Sequence, residues 1–232
     1  MTSSRDELLP DLPWRDAPVP SAEVSRAIQQ TCTRDLAKAK GLAAWQRAML
    51  SVLASGVVVA ALFAMGLAQD RHDAALRTAF FGAAGWGVVH LAVLVVGLAR
   101  PPGKRGSREL RWALALGLPL AFFAWLALSA SSVLPFGRFV AEDTHAPVCG
   151  LFTLVFGAAA AGGTLLAWRR TDPLTPGLSG ALAGLCGGLA GATGIGVACP
   201  THEAWHLWLA HGSTVVVFVL AGWLLGRKWL AP

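Results

Sequence analysis

The sequence predicts an all-α polytopic membrane protein, with six transmembrane helices behind a short cytoplasmic amphipathic segment. Three observations carry this. The 232 residues are 55% hydrophobic and only 14% charged, where soluble domains carry nearer a quarter charged residues. Six apolar runs meet or approach the roughly 20 residues that a helix needs to cross a bilayer; they cover about 48–69, 78–99, 112–132, 148–168, 178–198 and 212–226. Basic residues also alternate between the two sides: thirteen flank one side, from Arg34 to Lys228, and only Arg71, Arg77 and Arg138 the other. That asymmetry puts both termini in the cytoplasm and requires an even number of spans. The formal charge of +6 therefore marks membrane topology and membrane lipid, not direct nucleic-acid binding.

Residues 1–46 are read as one segment and 47–232 as the membrane domain. The first 46 residues lack the apolar stretch of a cleavable signal peptide. Pro10, Pro13, Pro18 and Pro20 discourage helix up to residue 20. Residues 21–40 then read as an amphipathic helix with Ser21 as its N-cap. Val24, Ala27, Ile28, Thr31, Cys32, Leu36 and Ala39 share one stripe, with Glu23, Arg26, Arg34, Asp35 and Lys38 largely off it. The segment carries six acids and six bases, so it is no polybasic lipid anchor. Such a stripe needs either the membrane surface or a protein partner to cover it.

Within the spans, His90 reads first as a hydrogen-bonding side chain between helices. The connection Arg100–Arg111 is basic and suits anionic headgroups. The fourth and fifth spans are rich in glycine and alanine at small-xxx-small spacing, which lets helix backbones approach closely. The fifth reads as a central packing helix. Asp172, at its inner boundary, has no evident partner in the sequence.

Polar chemistry collects in Cys199–His211 and, across the same outer face, in His145 and Cys149. Cys149 and Cys199 are the two outer thiols, in a compartment where a disulfide is allowed. If 201–211 is helical, His202 and His206 share a face one turn apart, with His211 nearby. Imidazoles and thiolates together suit zinc, cadmium or copper(I). No cofactor is called for beyond zinc or another soft metal at His145, His202, His206 and His211 with the thiols. Trp205 and Trp208 read as interface anchors. Gly177-Leu178-Ser179-Gly180 and Ala210-His211-Gly212 are similar to the motifs of rhomboid intramembrane proteases. Here, however, Ser179 starts a span at the inner face and His211 at the outer, about 30 Å of hydrocarbon apart. The expectation is no enzyme.

His145-Ala146-Pro147-Val148-Cys149 opening a span, Trp168-Arg169-Arg170 closing it, a Gly/Ala-rich span and then Ala198-Cys199-Pro200 form an arrangement that resembles the NrsF-type (negative regulator of sigma F) membrane anti-sigma factors. The resemblance is clearest over 145–211 and extends loosely over the six-span pattern. It implies an inhibitor that holds an extracytoplasmic-function sigma factor at the inner membrane. On this chain it implies sigma binding within 1–46, where Val24, Ala27, Ile28, Thr31 and Leu36 offer the contact stripe. It also implies a sensing pair in Cys149 and Cys199. The chain departs from that pattern in having His202, His206 and His211 close to Cys199, which leaves metal, peroxide, singlet oxygen and light-driven oxidation open as signals. The alternative is a small metal-binding or metal-handling membrane protein that uses the Cys/His cluster directly.

Overall fold

The computed structural model describes residues 21–38, 42–67, 74–98, 106–130, 146–172, 174–199 and 203–231. His145 and His202 lie outside these residues, as do Pro200 and the segment 1–20. The chain divides into two compact units, Met1–Leu42 and Ala43–Pro232.

In the first unit, α1 spans Ala22–Lys38. Ser21 starts it: its Oγ accepts from the Val24 amide at 3.3 Å, satisfying one of the orphan donors of a helix N-terminus. Thr31 Oγ1 donates to the Ala27 carbonyl at 2.9 Å, so that hydroxyl is tied to its own helix. Val24 and Ile28 are about half exposed, at 49% and 53%. The amphipathic stripe is thus formed and open along its first two turns.

The second unit is a bundle of six helices, all long and apolar enough to cross a membrane. They are α2 (Ala44–Leu67), α3 (Ala74–Gly97), α4 (Arg108–Ser129), α5 (Ala146–Ala167), α6 (Pro176–Ala198) and α7 (Ala204–Trp229). This is the architecture of a multi-pass membrane protein. The sixth helix is much longer than the 212–226 expected from its apolar run. It takes in the polar stretch from Ala204 onward, because His206, Leu207, Ala210 and His211 turn into the bundle and are buried there.

Every residue of α6 from Gly177 to Ala198 is buried except Gly196, so the fifth span is the axis on which the others pack. Lipid chains are as apolar as leucine, so no hydrophobic force drives these helices together; close van der Waals contact must hold them. Glycine supplies it. Gly180 and Gly184 of α6 face Gly222 and Gly226 of α7, and a Cβ at Gly184 would run into the Phe218 carbonyl. On another side, a Cβ at Gly191 would come within 2.7 Å of the Thr153 carbonyl and 2.9 Å of the Gly157 nitrogen of α5. Between α3 and α4 the contact is made by larger side chains: Trp86 meets Phe122 edge-on, with ring centroids 4.9 Å apart.

One end of the bundle is closed by a buried ion pair. Arg111 (4% exposed) and Asp172 (1% exposed) approach with Nη2 and Oδ2 3.6 Å apart. Arg111 also donates to Thr175 Oγ1 at 2.6 Å and to Ser179 Oγ. Asp172 accepts from the Leu174 and Thr175 amides at 3.1 and 3.0 Å and from the Ser179 hydroxyl. Its carboxylate thereby satisfies donors at the start of α6, where the helix dipole favours negative charge. Two expectations change. Asp172 has a partner, and Arg111 is not one of the bases available to headgroups: it lies within α4, one turn inside the helix. Just before this, Arg170 adopts φ 56°, turning the chain so that the Arg170 and Asp172 amides donate to the carbonyls of Trp229, the last residue of α7, and of Leu230 just after it, each at 3.0 Å.

Candidate functional site

At the opposite end, α5 begins, α6 ends and α7 begins, and these three termini bring together Cys149, Cys199 and His206. All three are buried, at 7%, 1% and 0% exposure. The sulfurs of Cys149 and Cys199 are 3.8 Å apart. His206 Nε2 lies 3.1 Å from Cys199 Sγ, so it is placed to take or return the thiol proton. The ligand atoms of the three residues all lie within 4.8 Å of one another.

Each side chain is placed by its backbone. Cys149 sits one turn into α5, its carbonyl accepting from Thr153 Oγ1 at 2.8 Å. Cys199 caps α6 with an extended backbone, φ −72° and ψ 126°, while its amide still donates to Ile195. That half-helical position points its thiol inward at the chain reversal. Ala210 completes the apolar wall beside the two sulfurs.

The histidines are arranged by an irregular winding of α7. Residues Leu207–Gly212 form a π-helix between the α-helical turn Ala204–His206 and the α-helix that starts at Ser213. Five residues along an ordinary α-helix carry a side chain well past one turn. The wider π turn brings residue i+5 back to the same face. His206 and His211 therefore lie together, ring centroids 5.5 Å apart and tilted by 48°, both fully buried. The expected pairing of His202 with His206 falls on a residue outside those described; the described helix starts at Ala204. Trp205 Nε1 donates to Glu203 Oε2 at 2.7 Å, and Trp208 packs half-buried against the main apolar cluster instead of standing out as an anchor.

The other cysteines and polar spans play different parts. Cys186 is fully buried in α6, away from the pair, and its carbonyl accepts from His90 Nδ1 at 3.2 Å. Ser179 is bound up with Arg111 and Asp172 at one end of the bundle, whereas His211 is at the other. The serine and histidine of the protease-like motifs are not brought together.

This arrangement can hold a soft, four-coordinate metal through two sulfurs and one nitrogen, since the donor types and their mutual distances fit such an ion. It can also form a disulfide, which needs the sulfurs to close from 3.8 Å to about 2.05 Å. The family model described as NrsF, negative regulator of sigma F, matches residues 33–231. The chain belongs to the NrsF family. No curated protein sequence and no solved structure matches it. As a member of the NrsF family, the protein is a negative regulator whose partner is a sigma factor. The match takes in the whole bundle, Cys149, Cys199 and His206, but begins inside α1. Of the contact stripe it includes Leu36 and leaves Val24, Ala27, Ile28 and Thr31 outside.

Proposed function

We propose that this NrsF protein is an anti-sigma factor of the bacterial inner membrane that holds an extracytoplasmic-function sigma factor through residues 1–46. It releases that factor when the Cys149–Cys199–His206 cluster is altered from the periplasmic side. The observation that carries the sensing half is the 3.8 Å separation of two buried sulfurs with an imidazole in contact with one of them, in a family of negative regulators. A two-electron oxidant such as hydrogen peroxide would join the sulfurs, taking two electrons and two protons and leaving as two water molecules. A soft metal ion would instead displace the thiol protons and bind the same three atoms.

The open stripe on α1 supports the tethering half. Val24 and Ile28 are exposed apolar side chains on a capped helix, a form suited to a hydrophobic groove on a protein. Either change at the cluster would act on the ends of α5, α6 and α7. Backbones packed on glycine have few intermediate arrangements, so the response is two-state.

The test uses the full-length protein in its host, with a reporter driven by the sigma factor it captures. The V24D/I28D variant is expected to lose capture and leave the reporter constantly on. The C149S/C199S variant is expected to keep capture and lose induction by cadmium or peroxide. Unchanged induction in C149S/C199S would remove the sensing half; unchanged capture in V24D/I28D would remove the tethering half. Metal handling without regulation would survive deletion of residues 1–46, whereas an anti-sigma factor would not.

A further inference from the structure

A second site lies within the bundle, away from the cysteines. Helices α2 and α3 both lean on α6 and touch each other little. They leave a cleft floored by Leu189, Ala190 and Thr193 of α6, with a volume of about 340 Å³. Val88 and Leu91 at its rim are 67% and 46% exposed, so it opens sideways, onto the face the two helices present to lipid. Its walls are almost wholly apolar, but three polar side chains line it: Thr193, whose hydroxyl donates to the Leu189 carbonyl at 2.6 Å, and then Ser55 and His90.

The last two are the informative part. Ser55 and His90 are 5% and 7% exposed, and among the described residues neither Ser55 Oγ nor His90 Nε2 has a hydrogen-bond partner. A buried polar atom left unmatched is costly, most of all where no water can reach it. The other nitrogen of His90 faces the Cys186 carbonyl at 3.2 Å, which can only accept. The proton of the neutral ring is therefore on Nδ1, and Nε2 is a bare acceptor. A ligand that satisfies it must bring a donor.

Depth and shape narrow the class. His90 sits seven residues from the Gly97 end of its apolar window and ten from Phe80, about 10 Å or more from either end at 1.5 Å per residue. The polar head of an ordinary lipid belongs at the membrane surface, not at that depth. Gly56, Ala83, Ala84 and Gly87 make thin walls, and Trp86 offers an aromatic face, which together suit a flat ring. We propose that this cleft binds the reduced head group of a membrane quinone, with a quinol hydroxyl donating to His90 Nε2 and Ser55 hydrogen-bonding a ring oxygen. The oxidised quinone carries only acceptors and leaves Nε2 unmatched, so the site discriminates by redox state. The proposal is independent of the cysteine cluster and of sigma binding.

The experiment is equilibrium binding of decylubiquinol, kept reduced without oxygen, and of decylubiquinone to the full-length protein in lipid nanodiscs. The quinol is expected to bind saturably and about tenfold or more tighter than the quinone. His90→Leu should abolish that preference. Gly87→Leu, at a position where an added Cβ meets nothing within 4 Å, should fill the slot and block binding while leaving the unfolding temperature unchanged. Equal binding of the two forms would overturn the proposal. So would undiminished quinol binding by Gly87→Leu protein that remains folded.

Discussion

His206 and His211 face each other across 5.5 Å because the helix between them is wound as π from Leu207 to Gly212. That winding is what lets two histidines five residues apart share one side. Removing a residue would leave them four apart on an α turn, still on one face, so the informative change is an insertion: one alanine added after Leu209, which is 55% exposed, should set them six residues apart and swing them to different faces. Cadmium affinity of the purified protein, followed by thiolate-to-metal absorbance, is expected to fall about 10-fold or more, in the range seen when groups supporting a metal site are lost. Replacing Leu209 with alanine keeps the winding and should leave affinity unchanged. Equal affinity for the insertion variant and the parent would show that the winding is irrelevant to the cluster.

The approach of Cys149 and Cys199 predicts an intramolecular disulfide under mild oxidation. The sulfurs need to move by less than 2 Å from their 3.8 Å separation to reach bonding distance. Peroxide treatment followed by peptide mass analysis should show residues 149 and 199 linked, with Cys186, sealed inside α6, unmodified. Linkage of Cys186 to either would contradict the packing of α5 on α6.

The Arg111–Asp172 pair is buried on both sides, so removing one partner strands a charge. Arg111→Met should cost about 3–5 kcal/mol of stability, and the double replacement Arg111→Met/Asp172→Leu should recover most of it. Thermal unfolding in detergent reads both. A single variant as stable as the parent would mean that water reaches the pair.

Gly184 of α6 touches the backbone of α7 at Phe218 and Gly222. Gly184→Ala should destabilise the bundle by about 1–3 kcal/mol through overpacking. Gly117 of α4 meets nothing within 4 Å of an added Cβ, so Gly117→Ala serves as the control and should be neutral or slightly stabilising. Equal effects at the two positions would argue against the close α6–α7 contact.

The helices were legible because apolar runs of membrane length leave few alternatives, and α6 announced its place through glycines spaced three and four apart. The sixth helix was read short because Cys199–His211 is polar, and polarity within a membrane chain reads as loop. Burial against α5 and α6 is what makes that stretch helical, and a linear sequence carries no sign of it. The pairing of His206 with His211 was hidden for a related reason: a π turn has no repeating pattern to detect. Arg111 read as part of a basic connection facing headgroups, and Asp172 as an acid with no evident partner. The available clue was that Arg111 is followed at once by an uninterrupted apolar run, which puts a charge one turn inside a span. Gly222 and Gly226 repeat the four-residue spacing of Gly180 and Gly184, and that match could have indicated which neighbour α6 packs against most closely.

The position of α6 in the chain has a consequence for how the protein is made. A ribosome releases helices in order, so the first four spans emerge before the one they are to surround. Until α6 arrives, the faces of α2, α3 and α5 shaped for its glycine-lined backbone have only lipid against them, and Arg111 still lacks the Ser179 hydroxyl that holds it. Assembly must then run as a late condensation around the fifth span, completed when α7 seats its own glycines and its C-terminal carbonyls receive the Arg170 and Asp172 amides. A chain stopped before residue 176 would keep the contact of α2 with α5 but lack the helix around which the bundle closes.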